Sequence, residues 1–489
     1  MSSKTLRARL SLVLLAMSLA GCANYSGLTT EGVSLDAKSL KAGQSLNGVT
    51  LSPAAWPKSD WWKNLGDPQL DGLIREALHD SPDMQIASAR AHQASAAAYA
   101  ADAARMPTLD ASGGVSRSRL SRSQDPSGQG DNYSTLRSLT GTFNYTFDLW
   151  GGQRDTWEAA LGQARAAEID RQAAQLTLAA DVARAYSDLG QAHIVHDLAT
   201  EDLKRTRQML DLSQKRLSSG IDSQYQYQQT ESLEASSEAS LIDAEKNLQS
   251  AKIALAVLLG KGPDRGNEIA RPKVLQASAV ALPSVLPAEL LGRRPDLVAA
   301  RWRVEAASKS IDAGKTNFYP NLNLSAAAGT QALLGDAMFG SASRFFNIAP
   351  TVSLPIFDGG RLRADLDARD ADYDLAVAQY NKSLVTALGD VSDTLSQLRD
   401  IGRQIAAQQH ATDIAQDSYD TVVQRYGSGI GNYLDVLSIE QQLLQAQRQL
   451  ATLNAQQIGL SIQLMQALGG GFQTDNLAAG TPTPASRTQ

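Results

Sequence analysis

Pro355-Ile356-Phe357-Asp358-Gly359-Gly360-Arg361 separates two periodicities. Before it, Phe346, Ile348, Val352, Leu354 and Ile356 share one parity, and Asn347, Thr351 and Ser353 share the other. A period of two is a strand with one apolar and one polar face. After it, Leu362, Leu366, Tyr373, Val377, Tyr380, Leu384, Leu388, Val391, Leu395 and Leu398 recur at threes, fours and sevens. That is the apolar stripe of a long helix. Gly359 and Gly360 stand where the backbone changes course and needs freedom. A second copy, Phe147-Asp148-Leu149-Trp150-Gly151-Gly152, also follows an alternating run and precedes a helical one. Two copies of an unusual strand-to-helix junction predict a duplicated fold.

The duplication extends outward from the junctions. Ser81-Pro82-Asp83-Met84, Arg90 and Pro107 recur as Arg294-Pro295-Asp296-Leu297, Arg303 and Pro320, at a constant offset of 213. Arg216-Leu217-Ser218-Ser219-Gly220-Ile221-Asp222-Ser223 recurs as Arg425-Tyr426-Gly427-Ser428-Gly429-Ile430-Gly431-Asn432. Each of these interrupts a long helical pattern and reads as the turn of a helical hairpin. Residues 151–218 hold no proline and read as one helix, about 100 Å long at 1.5 Å per residue.

The first repeat is expected over 67–260, with a β-hairpin at about 107–148 and a helix hairpin over 151–260. The second is expected over 293–471, with a β-hairpin at about 320–357 and a helix hairpin over 360–468. Residues 261–292 carry Pro263, Pro272, Pro283 and Pro287 and read as a connector. Residues 472–489 are a polar tail with no core potential, expected to be disordered. Trp56, Trp61 and Trp62 read as a packing anchor for an N-terminal arm over 22–66.

The 489-residue chain is 43% hydrophobic but only 6% aromatic, which favours long helices packed through small residues. Its net charge of −6 gives no electrostatic case for nucleic acid. Lys4, Arg7 and Arg9 precede the apolar run Leu10 to Leu19, so residues 1–21 read as a signal peptide, too short to span a bilayer as a mature helix. Leu19-Ala20-Gly21-Cys22 resembles the bacterial lipoprotein signal, in which the cysteine receives a diacylglycerol and an N-acyl chain. Cys22 is the only cysteine, which excludes an intramolecular disulfide and supports lipidation. Two or more acyl chains give stable anchoring. Ala23, rather than Asp, follows it, which by analogy with such lipoproteins favours the outer membrane.

Both β-hairpins alternate apolar and polar residues, as a half-buried soluble sheet would also do. Segments of about ten residues with aromatics near their ends favour a transmembrane barrel. Four strands cannot close one, because the smallest bacterial barrels have eight. An open sheet edge in lipid costs several kcal/mol per unpaired group. Two, three or four chains would supply eight, twelve or sixteen strands.

No catalytic or metal-binding pattern stands out, and the chain reads as a non-enzyme. His193 and His196 lie three apart with no third ligand in view. Gly427-Ser428-Gly429-Ile430-Gly431 follows no strand and precedes no Lys-Ser/Thr pair, so it is not a phosphate loop. No cofactor is expected beyond the lipid on Cys22.

Taken together, Trp61-Trp62, Asp67-Pro68, Leu70, Arg294-Pro295-Asp296, Pro355 to Arg361, Tyr426-Gly427-Ser428-Gly429 and Ala467 to Gly471 resemble the TolC-like outer-membrane efflux channels, in their OprM/NodT-type lipoprotein branch. The resemblance covers nearly all of residues 50–472. It implies an α+β membrane protein: a homotrimer whose twelve-stranded β-barrel continues into a periplasmic α-barrel of antiparallel helix hairpins. It implies docking to a periplasmic adaptor and an inner-membrane efflux pump, with small molecules passing down the bore. It also places Gly220, Ile221, Asp222, Tyr426, Gly429, Ile430, Tyr433 and Asp435 at the periplasmic gate and docking tips. Related channels often carry an Asp where this chain has Gly431, so Asp222 or Asp435 is the expected anionic constriction. The competing readings are a protein-secretion channel of the same fold and a coiled-coil lipoprotein that spaces the envelope.

Overall fold

The computed structural model describes residues 24–36, 39–40, 56–119, 121, 133–273, 275, 292–431 and 433–473. Cys22, the signal segment and the tail from 474 lie outside the described residues.

The elements run α1 (Pro68–Asp80), α2 (Pro82–Ala103), β1 (Thr108–Arg119), β2 (Tyr133–Phe147), α3 (Gly152–Ser218) and α4 (Gln224–Leu258). They continue with α5 (Pro295–Thr316), β3 (Asn321–Leu333), β4 (Arg344–Ser353), α6 (Arg361–Gly427) and α7 (Tyr433–Ala467). The duplication is metrically exact in the helices. Helices α2 and α5 have 22 residues each, α3 and α6 have 67, and α4 and α7 have 35. The helix starts are offset by 213 before the strands and by 209 after them; the junction aspartates are offset by 210, so three of the four residues are lost in the β-hairpins and one in the junction.

Two compact units interleave along the chain. The first combines Met1–Ser34, Ala91–Ala167 and Ala300–Tyr380. It holds one four-stranded antiparallel sheet in the order β1-β2-β3-β4. Ile311, Phe318, Leu362 and Leu366 form its buried cluster, with Tyr25 and Leu28 of the N-terminal arm packed against them. The arm is tied along α6: the Glu31 and Gly32 amides donate to Asp374 at 3.0 and 2.7 Å, and Arg363 donates to the Asn24 carbonyl.

Each junction aspartate caps the helix that follows. Asp148 accepts from the Gln153 and Arg154 amides at 3.1 and 2.9 Å, and Asp358 from the Gly360 and Leu362 amides at 3.0 and 2.8 Å. A carboxylate here satisfies orphan N–H groups and complements the positive end of the helix dipole. The glycines differ between copies. Gly359 and Gly360 take φ of 67° and 90° with open space around them. Gly151 takes φ 81°, whereas a Cβ on Gly152 would meet the Thr316 hydroxyl at 2.1 Å.

The second unit combines Leu35–Arg90, Glu168–Ala299 and Asn381–Gln489. Its main core packs Trp61, Leu70, Ile74, Val182, Tyr186, Leu255, Leu259 and Ile462. The Tyr186 hydroxyl donates to Asp67 at 2.6 Å, and Asp67 also accepts from the Lys273 amide at 3.1 Å, pinning the start of α1 to the connector. A second core joins Leu297, Leu384, Val391 and Leu464. Half-buried Arg294 closes it, paired with Asp296 at 2.7 Å and Asp390 at 3.4 Å.

Candidate functional site: the sheet face and the helical tips

In an antiparallel sheet, directly opposed residues share a face, so register decides whether alternation in single strands becomes a surface. Here it does. Leu109 pairs with Phe143, Phe143 with Ala326, and Ala326 with Ile348. Gly113 and Leu139, Tyr145 and Leu324, and Phe147, Leu322 and Val352 line the same face. The opposite face collects Asp110, Thr142 and Ala327, then Asn144 and Ser325, then Thr146, Asn323 and Thr351. Thr146 donates to Asn323 across it at 2.8 Å.

The apolar face is uncovered: Leu109, Val115, Phe346, Ile348 and Val352 are each between 66% and 82% exposed. A contiguous exposed apolar surface marks an interaction site. Its height runs from Phe147 to Leu139, roughly 27 Å along the strand, or roughly 20 Å at the usual tilt of a barrel strand. Aromatic rings mark both ends. Trp150 stacks on Tyr319 at 4.9 Å, and Tyr145 meets Phe147 edge-on at 4.9 Å. Tyr133, Phe339 and Phe346 stand exposed towards the other end. Such girdles flank the apolar band of outer-membrane barrels. β1 and β4 are both edge strands. Among the described residues no helix is long and apolar enough to cross a membrane.

The tips belong to the helical unit. Both begin with the same stop. Gly220 (φ 73°) and Gly429 (φ 80°) take the left-handed conformation, and the Ile221 and Ile430 amides reach back to the Arg216 and Arg425 carbonyls at 2.9 and 3.1 Å. This is the Schellman closure of a helix end. The restarts differ. α4 opens with a capping box, in which Ser223 and Gln226 satisfy each other's amides. α7 opens with Tyr433, buried.

The structure sorts the expected tip residues into two groups. Ile221, Ile430 and Asp435 are exposed. Tyr426, Tyr433 and Asp222 are buried at 1%, 2% and 7% exposure. Tyr426 donates to Asp222 at 3.1 Å, while Arg216 pairs with Asp222 at 3.0 Å and lies over the Tyr426 ring at 4.5 Å. The Tyr433 hydroxyl bonds to Thr230, and Met209 and Val436 pack around both tyrosines. Burial and the neighbouring Asp222 charge push the Tyr426 phenol up to about 12, so it stays a neutral donor. Asp222 is therefore committed to Arg216 and Tyr426, and Asp435 is the expected acid that faces solvent. Gly431 also has a reason: a Cβ there would lie 2.6 Å from the Tyr426 amide nitrogen, so the position that carries Asp in related channels has no room for a side chain.

Sequence reasoning missed Arg216, Thr230 and the capping role of Asp148 and Asp358. It also missed Asp202, Arg205 and Glu440, which lie further along the same helices. Glu440 had a signal: Tyr433, Val436, Glu440 and Leu443 step along one stripe of α7, and an acid on an apolar stripe asks for a partner. Among the described residues, no group of three or more His, Cys, Asp or Glu is placed to hold a metal ion.

A meander with one apolar and one polar face, spliced twice onto long helical hairpins, defines a class of envelope channel subunits. The chain belongs to the outer membrane efflux protein family, whose model matches residues 73–261 and 286–470. It is 37% identical over 381 residues to the fusaric acid resistance protein FusA of Burkholderia cepacia, covering 76% of this chain and 71% of that one. It is 31% identical over 441 residues to the multidrug resistance outer membrane protein MdtP of Escherichia coli, covering 87% and 89%. Among solved structures, the outer membrane protein VceC of Vibrio cholerae superposes with a TM-score of 0.79 at 35% identity, over 86% of this chain and all of that one.

Proposed function

We propose that the chain is the outer-membrane channel of a tripartite efflux system. Three copies form a twelve-stranded barrel, and small organic compounds leave through the bore. The observation that carries this reading is the sheet with one continuous apolar face and two edge strands, which lipid tolerates only as part of a closed barrel. A spacer lipoprotein would need no such face. The names of FusA and MdtP, a fusaric acid resistance and a multidrug resistance protein, favour small-molecule efflux over protein secretion.

In this reading an inner-membrane pump and a periplasmic adaptor deliver the cargo. Ile221 and Ile430, exposed at 64% and 76%, are the adaptor's apolar contacts. The Tyr426–Asp222 and Tyr433–Thr230 bonds tie the hairpins shut, and Asp435 lines the constriction. Lipid on Cys22 fastens the arm whose next residues, Asn24 and Ser26, are held by Arg363.

The test is complementation. Expressed in a Gram-negative host lacking its own channel, together with the matching pump and adaptor, the chain should raise the inhibitory concentration of exported drugs at least fourfold. Resistance equal to empty vector, with the protein present in the outer membrane, would sink the proposal.

A further inference from the structure

Behind the tip ties lies a cluster of charge that the channel function does not call for. Glu440 of α7 is 2% exposed and Asp202 of α3 is 4% exposed. The nearby cation is Arg205 of α3, its Nε 3.6 Å from Glu440 Oε1, and the Asp202 charge also reaches Glu440. The Arg205 guanidinium lies 5.5 Å from the centre of the Tyr419 ring on α6. Both Glu440 carboxylate oxygens, Asp202 Oδ1, and Nε and Nη2 of Arg205 are buried without a hydrogen-bond partner. Two buried carboxylates thus lie near one guanidinium, which pairs with Glu440 and keeps 18% of its side chain in solvent. With both ionised, the site holds one uncompensated negative charge, which burial makes costly. The other groups facing Glu440 are phenols, Tyr419 on α6 and Tyr433 on α7, and neither brings positive charge.

We propose that Asp202, Arg205 and Glu440 form a proton-operated clasp behind the tips. One proton held on the carboxyl pair keeps α3, α6 and α7 packed, and its loss to bulk solvent loosens α7 and favours the open channel. The cluster sits on the helices that carry the ties: Glu440 is seven residues along α7 from Tyr433, and Arg205 is eleven residues back along α3 from Arg216. The direction follows from the environment. Burial, with repulsion from Asp202, pushes the Glu440 carboxyl from its ordinary 4.5 up to about 7, and Arg205 and the nearby Tyr419 hydroxyl offset part of this. Once α7 moves away, water restores the ordinary value. The closed state then binds more protons than the open one between about pH 4.5 and 7. Its advantage is complete at the acid end and lost as pH rises through about 7. A raised carboxyl loses about tenfold in the closed-to-open ratio per pH unit across that window. The duplication supplies a control. Glu231 occupies the position matching Glu440 in the first repeat and is exposed.

The inference rests on the tips being the gate, and the experiment separates the two. Channel opening is recorded in planar bilayers from pH 5.5 to 8 for wild type, Glu440→Gln, Glu231→Gln and Tyr426→Phe. Wild type and Glu231→Gln should open at least tenfold more at pH 8 than at 5.5. Glu440→Gln should stay near the acid level throughout. A pH course in Glu440→Gln equal to wild type overturns the clasp. If Tyr426→Phe leaves opening unchanged while Glu440→Gln still abolishes the pH step, the tie is refuted and the clasp stands. Carboxyl infrared bands of the wild-type channel give a second arm that does not depend on how the variant folds. A protonated buried carboxyl persisting to about pH 7 supports the clasp, and complete ionisation of every carboxyl by pH 5.5 overturns it.

Discussion

The two helical tips come from the same repeat, and none of their tie residues has a like counterpart. Asp222 corresponds to Gly431, Tyr426 to Leu217, Tyr433 to Gln224 and Thr230 to Ile439. The first tip supplies Asp222, which accepts from Tyr426, and Thr230, whose hydroxyl bonds that of Tyr433; the second supplies both phenols. Two identical repeats would have left these partners opposite residues that cannot bond them. Divergence after duplication left unlike side chains that bond one hairpin to the other, while the Schellman stops that make both turns stayed alike.

That asymmetry can be broken in graded steps. Exchanging the unlike pair, Asp222→Gly with Gly431→Asp, should have the largest effect. It removes the partner of Arg216 and drives a side chain into the Tyr426 backbone. We expect a permanently leaky channel, read as sensitivity to antibiotics too large for porins. Wild-type resistance in the exchange would mean that the tips are interchangeable. Next comes Asp222→Ala alone. Leaving a largely buried guanidinium unpaired costs about 3–5 kcal/mol of closure, which bilayer recordings should show as near-constant opening. Tyr426→Phe deletes one bond to a charged acceptor, about 1.5–3 kcal/mol, and should raise opening by at least tenfold at fixed pH. The smallest effect belongs to the first tip's own cap. Ser223→Ala costs about 1 kcal/mol of helix end stability and should lower the thermal midpoint slightly without changing conductance.

A second comparison, between the strand-to-helix junctions, shows where a motif reads differently once folded. Both copies read as glycine pairs that free the backbone. In the second, Gly359 and Gly360 do that, at positive φ in open space. In the first, only Gly151 does, and Gly152 is small because α5 passes against it at Thr316. The aspartates beside them, which local pattern left without a role, are helix caps.

Much of the architecture was legible because it is periodic. Alternation marked four strands, three-four spacing marked the hairpins, and the repeat offsets joined them. The need for other copies was legible too, since four strands leave edges that lipid does not tolerate. What was not legible was pairing between residues hundreds of positions apart. Asp222 looked like a solvent-facing acid because its local sequence is a turn. It became a buried ion pair when Arg216, one helical stop away, and Tyr426, 204 residues away, closed over it. Glu440 and Glu231 are the same residue at the same repeat position, yet only Glu440 is buried, against a second carboxylate.

Local physics explains the division. Backbone period, turn chemistry and capping act over a few residues and are written in the order of side chains. Strand register, burial and the charge a carboxyl can hold depend on what the rest of the chain brings near. The sequence by itself therefore determined a duplicated strand-and-hairpin subunit whose strands each have one apolar and one polar face. Only the tertiary structure decided which tip residues meet, which acid faces solvent, and which is buried.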